Sequence, residues 1–197
     1  MAPFLNKFNC SWQSSLPVIL ITIVSILAFI FDQQFSQYLV YQRELISQGE
    51  IWRLITGHLL HTNGYHLLMN LAALFLLYLL HGNFYTIKSY SLLFLFSALF
   101  CSTALYFFDP QLIQYVGLSG VLHGIFVWGA FKDVNKQDKT GYLLLLGVTL
   151  KIIHEQFYGA SSDLSSLINA NVAVNAHLWG AIAGLILDCQ TLTIFVL

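Results

Sequence analysis

Six apolar segments, separated by polar stretches, restrict the folding of this chain more than any other feature. Charged residues make up only 9% of the chain and hydrophobic residues 57%, whereas ordinary soluble domains carry roughly 25% charged residues. A soluble fold of this size could not hide so much apolar surface, because its outer faces must meet water. A helix in lipid satisfies its own backbone hydrogen bonds, which a single strand cannot do. The segments cover residues 16–31, 65–80, 90–108, 119–131, 142–158 and 172–187.

The sequence therefore predicts an all-α, six-span membrane protein in which residues 1–197 form one domain. An N-terminus in the cytoplasm assigns five lysines to that side and only Arg43 and Arg53 to the opposite side. The positive-inside rule then predicts that both termini are cytoplasmic. The loop over residues 32–64 would lie on the outer face, where Trp52 and Arg53 suit the lipid headgroup zone. The five lysines are Lys7, Lys88, Lys132, Lys136 and Lys139.

The fourth apolar segment is unusually short. Residues 119–131 would form about 20 Å of helix at 1.5 Å per residue, whereas the bilayer core is about 30 Å thick. The chain before Ser119 is therefore predicted to enter the membrane as irregular structure. Such structure is tolerated only where protein or a water-filled cavity surrounds it. A functional site is expected where this helix begins.

A serine lies at that position, within the sequence Gly117-Leu118-Ser119-Gly120. The glycines permit a close backbone approach. Unpaired N–H groups at the start of a helix can stabilise an oxyanion. By itself the motif is weak, because small residues in membrane helices usually serve packing.

His177, in the sixth segment, could act as the base for this serine. Gly180 and Gly184 follow it on one helical face, and this spacing allows close approach to a neighbouring helix. If that neighbour is the fourth segment, the hydroxyl and the imidazole come within hydrogen-bonding reach. The sequence shows no acidic residue placed to orient the imidazole, so a Ser119–His177 dyad is predicted.

His66 and Asn70 lie four residues apart at the start of the second segment and so share one helical face. Both side chains can donate hydrogen bonds to an oxyanion. A metal site is the rival interpretation, since histidine is a common ligand. The chain has no HExxH motif, and the acidic side chains show no ligand spacing. We expect no metal and no cofactor.

Lys151 and Glu155 lie four residues apart in the fifth segment and can form an ion pair, which lowers the cost of holding them in a membrane. The pair could simply fix the packing of the helices. Alternatively Glu155, together with Gln156, faces an incoming substrate and recognises part of it. His66, His177 and this pair also leave open a proton-coupled transporter.

Taken together, the motifs resemble those of the rhomboid intramembrane proteases, in their order and over nearly the whole chain. The resemblance implies a six-helix bundle open to water from outside, with Ser119 as nucleophile and His177 as general base. It also implies oxyanion donors at His66 and Asn70. The remaining matching positions, with supporting roles, are Trp52, Arg53, His61, Gly117, Gly120, Gly180 and Gly184.

One departure from the usual rhomboid motifs points to a particular subfamily. Rhomboids commonly carry an aromatic residue four positions after the serine, and here that residue is His123. His123 could stack on His177 or share protons with it. Together with the short chain, this looks like the bacterial rhombosortase subfamily. That resemblance implies an enzyme of the inner membrane, with its site open to the periplasm, that removes a C-terminal Gly-Gly-type anchor from exported proteins.

The partners implied are membrane lipid and a membrane-anchored protein substrate. The net charge of −1 offers no basic surface, so no nucleic-acid partner is expected. A non-catalytic rhomboid-like binding protein would keep the helices but would usually lack the serine or the histidine. Both residues are present in this chain.

Overall fold

The computed structural model describes residues 11–194, with side chains described as far as residue 189. Lys7, which contributed to the predicted orientation, lies outside this range. Each of the six predicted segments coincides with a long helix, and shorter elements connect these helices. The helices are α1 (Trp12–Ile30), α2 (Asp32–Leu39), α3 (Arg43–Ser47), α4 (Arg53–Thr56), α5 (Gly64–His81), α6 (Ile87–Phe108), α7 (Ser119–Asn135), α8 (Thr140–Tyr158), α9 (Ser162–Ile168) and α10 (Val174–Ile194).

Polar side chains cap the first turns of several helices. The side chain of Asn63 accepts a hydrogen bond from the backbone N–H of His66 at 2.9 Å, which starts α5 and orients its first turn. Thr86 and Ser89 form a reciprocal capping box at the start of α6. Such caps satisfy N–H groups that have no partner within the helix.

Three helical stretches in the described part of the chain are long and apolar enough to cross a membrane: Trp12–Ile30, Gly64–Phe84 and Ile87–Phe108. Val174–Cys189 is a shorter apolar helix. Large apolar side chains remain exposed on the outer faces of α1, α5 and α8, including Leu20, Phe75 and Leu143. This outer surface suits lipid better than water.

Helix α7 occupies the centre of the bundle and packs against α5, α6, α8 and α10. It begins at Ser119, as predicted, but it ends at Asn135 rather than at residue 131. The predicted end was wrong because neighbouring helices satisfy the polar residues of the last turn. Lys132 pairs with Asp188 at 2.7 Å, and Asp133 contacts His81 at 3.2 Å.

The segment between α1 and α5 folds into short helices that the hydrogen bonds of Arg53 hold together. Its guanidinium donates to the Glu50 carboxylate at 2.6 Å and to the carbonyls of Val40 and Gln37 at 2.7 and 2.9 Å. Arg53 is only 2% exposed. The expectation that it lies among lipid headgroups is wrong, because it is enclosed by the loop that it organises. Trp52 remains exposed and donates to the Tyr38 carbonyl.

A two-residue strand pair, absent from the sequence prediction, joins this loop to the chain before α7. Strand β1 (Tyr41–Gln42) pairs antiparallel with β2 (Gln114–Tyr115). Gly57 lies against the first strand so closely that an added Cβ would come within 2.8 Å of the Tyr41 amide nitrogen. The segment between α1 and α5 thereby supports the chain that leads to Ser119.

Candidate active site

The turn before Ser119 is held from three directions. The backbone of Gly117 has a φ of +128°, a conformation that suits glycine. Its N–H donates to the Gly57 carbonyl at 3.2 Å, and its carbonyl accepts from the Tyr115 hydroxyl at 2.7 Å. A ring nitrogen of His58 lies 3.3 Å from the same carbonyl. These contacts fix where α7 begins and therefore where the Ser119 side chain lies.

Helices α7 and α10 cross in backbone contact. A Cβ added to Gly180 would overlap the Gly120 carbonyl, and one added to Gly184 would overlap the Gly124 carbonyl. The close approach predicted from Gly180 and Gly184 is therefore present. Its counterpart on α7 involves Gly124 as well as Gly120, and Gly124 had not been assigned a role from the sequence.

This crossing brings Ser119 and His177 together. The Ser119 hydroxyl and the Nε2 atom of His177 are 3.0 Å apart, which is a hydrogen-bonding distance. His177 is buried, whereas Ser119 is partly exposed. A hydroxyl that contacts an imidazole at the start of a helix has the arrangement of an activated nucleophile.

Glu155 contacts the other side of the imidazole. Its Oε2 atom lies 2.8 Å from Nδ1 of His177, and the residue is only 7% exposed. The expectation that no acidic residue orients His177 is wrong. Glu155 lies in the last turns of α8 and His177 in the first turns of α10, so the two reach a similar depth. The similar depth of the two residues could be read from the sequence, but the faces on which α8 and α10 meet could not.

Lys151 completes this polar row. Its ammonium lies 2.6 Å from Oε1 of Glu155 and 3.4 Å from Nδ1 of His177, so the predicted ion pair between Lys151 and Glu155 is present. The Lys151 side chain is 47% exposed. Gln156 is exposed and contacts the Val174 carbonyl at 3.3 Å. Substrate recognition by these residues stays a prediction, and Glu155 has its carboxylate occupied within the protein.

The ring of His123 lies parallel to that of His177, with 4.2 Å between centroids and 18° between planes. The stacking considered from the sequence is therefore present. Nδ1 of His123 lies 2.7 Å from the carbonyl of Ser119 in the same helix and donates to it. This bond orients the His123 ring over His177.

His66 and Asn70 share a cavity of about 270 Å³ with Ser119 and His177. A Cβ added to Gly117 would come within 2.8 Å of Nε2 of His66, so this nitrogen faces the turn before the serine. The amide nitrogen of Asn70 is buried without a hydrogen-bond partner in the described part of the chain. Asn70 borders the cavity, and a buried donor is costly to leave unpaired.

His61 packs against the ring of His66. The two rings meet edge to face, with 5.0 Å between centroids. Burial, reinforced by the neighbouring His66, lowers the pKa of His61 from 6.5 to about 3. His61 therefore presents an uncharged ring to His66 at neutral pH. Trp52 and Arg53 act on the outer loop instead, where their hydrogen bonds lie.

Ser119 lies between two cavities. Beyond the cavity shared with His177, a second one of about 220 Å³ is bordered by the chain before α7 and by the segment after α9. A largely apolar groove of about 440 Å³ lies between α5 and α8 and extends to His123 and Lys151. An extended chain and an apolar helix could therefore both approach the serine.

His123, Glu155 and His177 are close enough together to be considered as metal ligands. Their geometry argues against this use. Imidazole lone pairs lie in the ring plane, and the two rings are nearly parallel and 4.2 Å apart, so they do not converge on one ion. Both nitrogens of His177 also have partners, namely Ser119 and Glu155.

Known proteins resemble this chain over most of its length. The Rhomboid domain matches residues 48–193, a range that contains every side chain of the site. The Bacillus subtilis (strain 168) protein named "Putative rhomboid protease YdcA" is 28% identical over 143 residues, which cover 73% of this chain and 68% of that protein. Since the domain match extends over well more than half of the sequence, this integral membrane protein belongs to the rhomboid family, which is made up of intramembrane serine proteases.

Proposed function

We propose that this protein is an intramembrane serine endopeptidase in which Ser119 is the nucleophile and His177 the general base. The observation that carries the proposal is the 3.0 Å contact between the Ser119 hydroxyl and Nε2 of His177 inside a cavity. A serine is a weak nucleophile at neutral pH and needs an adjacent base. Family membership supports protease chemistry in general.

The reaction follows from the two side chains. Ser119 Oγ attacks the carbonyl carbon of the scissile peptide while its proton passes to Nε2 of His177. The tetrahedral intermediate collapses as the C–N bond breaks, and the imidazolium gives its proton to the leaving amine. Water then attacks the acyl-enzyme, and His177 accepts a proton from it. The carboxylic acid product leaves, and Ser119 regains its proton.

The oxyanion would be stabilised by the backbone N–H at the start of α7 and by the side chains of His66 and Asn70. The buried, unpartnered amide nitrogen of Asn70 supports this role. His66 can donate from Nε2 when its Nδ1 accepts from the Thr62 amide, which lies 3.4 Å away. The chemistry uses no cofactor, so a chelator should not change the activity.

The substrate would be a transmembrane or membrane-proximal segment. The apolar groove between α5 and α8 supports this assignment, because it leads from the exposed helical surface to His123 and Lys151 beside the site. An apolar helix could lie in the groove while its unwound end reaches Ser119. Lys151 and Gln156 remain exposed and could contact polar atoms of that segment.

For the biological substrate we propose the C-terminal Gly-Gly-type anchor of exported proteins. The support is the resemblance to rhombosortases. It rests on the short chain and on His123, which occupies the position of the usual aromatic residue in this protein. With this substrate, the protein would span a bacterial inner membrane six times. Its termini would be cytoplasmic and its site would be open to the periplasm. Glycines next to the scissile bond would suit a site reached only by unwound chain.

Labelling with a fluorophosphonate tests the chemistry directly. The wild-type protein, purified in detergent, should label covalently, and Ser119→Ala and His177→Ala should not. Ser162→Ala and His154→Ala are matched controls, since both side chains are exposed and neither belongs to the site. Wild-type protein that resists labelling would favour the binding module or the transporter instead.

Co-expression tests the substrate. An exported protein with a C-terminal Gly-Gly motif, an apolar helix and a basic tail should lose its anchor in cells with wild-type enzyme and keep it with Ser119→Ala. The size of the product on a denaturing gel, with mass spectrometry of its C-terminus, reports the cleavage. An intact anchor in cells whose enzyme labels normally would exclude this substrate while leaving the protease chemistry in place.

A further inference from the structure

The carboxylate of Glu155 has both oxygens engaged. Oε1 accepts from the Lys151 ammonium at 2.6 Å, and Oε2 lies 2.8 Å from Nδ1 of His177. Positive charge and hydrogen-bond donation beside a carboxylate favour its ionised form. The Lys151 ammonium supplies both to Glu155.

An ionised carboxylate can only accept hydrogen bonds. Nδ1 of His177 must therefore carry the proton of the contact with Glu155. A neutral imidazole with its proton on Nδ1 has its lone pair on Nε2. Nε2 is the atom that faces the Ser119 hydroxyl at 3.0 Å. The row from Lys151 through Glu155 thus selects the one neutral tautomer of His177 that can take the proton of Ser119.

We infer that Glu155 is a positioning residue for His177 and makes the site a Ser119–His177–Glu155 triad, with Lys151 as the cationic partner of the carboxylate. The inference rests on the proposed protease function. Glu155 would also stabilise the imidazolium that forms when Ser119 attacks, as a negative charge beside a developing positive one does. It does not touch the substrate or take up the proton itself.

The charges around His177 define the test. Lys151 and Glu155 together are neutral. Without Glu155 a positive charge remains beside the imidazole, and without Lys151 the carboxylate keeps its negative charge by pairing with the imidazolium, whose Nδ1 it contacts. Less imidazolium forms when a positive charge is left and more when a negative one is left. Within the described residues, the groups that face His177 from the other elements are Ser119 and His123 from α7 and His66 and Asn70 from α5. Beside it, Cys101 contacts the Ala176 carbonyl and Asp109 contacts Asn175.

The experiment measures the rate of fluorophosphonate labelling against pH for full-length wild-type protein and two variants. In Glu155→Gln the labelling rate at neutral pH should fall roughly 10²-fold or more, within the range of general-base contributions. The glutamine amide can also donate to Nδ1, which selects the unproductive tautomer. The acidic limb of the profile should move to lower pH. In Lys151→Met it should move to higher pH, with a smaller loss of rate.

Opposite displacements of the acidic limb show that both charges act on His177. The loss of rate that remains in Glu155→Gln above the limb, where the imidazole is neutral in every protein, shows that Glu155 also selects the tautomer, which a purely structural ion pair would not do. Glu44→Gln makes the same charge change at an exposed position and should match wild type. Glu155→Asp keeps the charge and should recover part of the lost rate. Melting temperatures in detergent check folding.

Two results would overturn the inference: a Glu155→Gln rate within about twofold of wild type, or an acidic limb that stays in place in folded Lys151→Met. If Glu155→Gln does not fold, the Lys151→Met profile decides alone. Wild-type protein that fails to label at any pH would instead overturn the protease function, so the two failures can be told apart.

Discussion

His123 and His177 stack with 4.2 Å between their ring centroids and only 18° between their planes. The bond from Nδ1 of His123 to the carbonyl of Ser119 fixes the His123 ring. The fixed ring in turn restricts the rotation of the His177 ring. His123 contacts His177 through the face of its ring and not through a hydrogen bond. A flat aromatic side chain of similar size lacks the bond to Ser119 but keeps the stacking, so it should substitute for most of the effect of His123.

We accordingly expect His123→Phe to label with a fluorophosphonate within a few-fold of wild type, whereas His123→Ala should lose about tenfold, because misplacing a catalytic group costs rate. The labelling rate at neutral pH, compared among the three proteins, measures this. If the two variants lose rate equally, a hydrogen bond or proton transfer from His123 would be the better explanation.

Gly180 has no room for a side chain, since an added Cβ would overlap the Gly120 carbonyl. Gly180→Ala should therefore push α10 away from α7, separate His177 from Ser119 and abolish labelling. The free energy of unfolding should fall by roughly 1–3 kcal/mol, as overpacking costs in cores. Gly147→Ala is the matched control, because a Cβ there meets no atom within 4 Å.

Denaturation in detergent and labelling of both glycine variants would check this. A Gly180→Ala protein that labels at the wild-type rate would mean that the two helices need not touch for the serine and the histidine to meet.

Much of this arrangement could be predicted from the sequence because it depends on order and spacing along helices. The apolar segments coincide with the long helices, and the glycine spacing in α10 correctly predicted its contact with α7. Ser119 begins its helix where the chain was expected to turn, and the row of Lys151 and Glu155 was recognised as a pair. These features can be predicted without knowing the rotation of each helix about its axis.

The features that were missed depend on packing between distant parts of the chain. The contact of Glu155 with His177 requires α8 to turn this face towards α10, which no periodicity within either helix decides. Arg53 was placed among headgroups because its burial depends on carbonyls 13 and 16 residues earlier. The strand pair between residues 41–42 and 114–115 is too short to carry a sequence signal.

Asn70 offers a test of the oxyanion site that separates catalysis from stability. Its amide nitrogen has no hydrogen-bond partner in the described structure, so removing it should cost little folding energy. Loss of one oxyanion donor typically lowers the rate by about 10²–10³-fold. Asn70→Ala should therefore lower labelling and cleavage by roughly that factor with a nearly unchanged melting temperature.

Asn70→Asp keeps the shape of the side chain but, when ionised, cannot donate and would repel the oxyanion, so it should be at least as impaired as Asn70→Ala. Wild-type rates in both variants would remove Asn70 from the oxyanion site.

His58 makes the stability of the folded protein depend on pH. Its ring is fully buried between Ser102, whose hydroxyl lies 2.8 Å from Nε2, and the Gly117 carbonyl. Burial lowers the pKa of His58 from 6.5 to about 4, against the opposing effect of its backbone hydrogen bonds to Ala98 and Gly117. Between these two values the unfolded chain binds a proton that the folded protein does not.

The folded protein should therefore lose stability as the pH falls from about 6.5 towards 4, by up to about 1.4 kcal/mol per pH unit from this residue. Above pH 6.5 the contribution is constant. His58→Gln cannot titrate, so its melting temperature in detergent should start lower, because hydrogen bonds are lost, but should fall less steeply over the same range. His154→Gln, at an exposed position, should keep the wild-type slope. Equal slopes in wild type and His58→Gln would assign the pH dependence to other groups, of which buried His61 is the first to test because burial lowers its pKa as well.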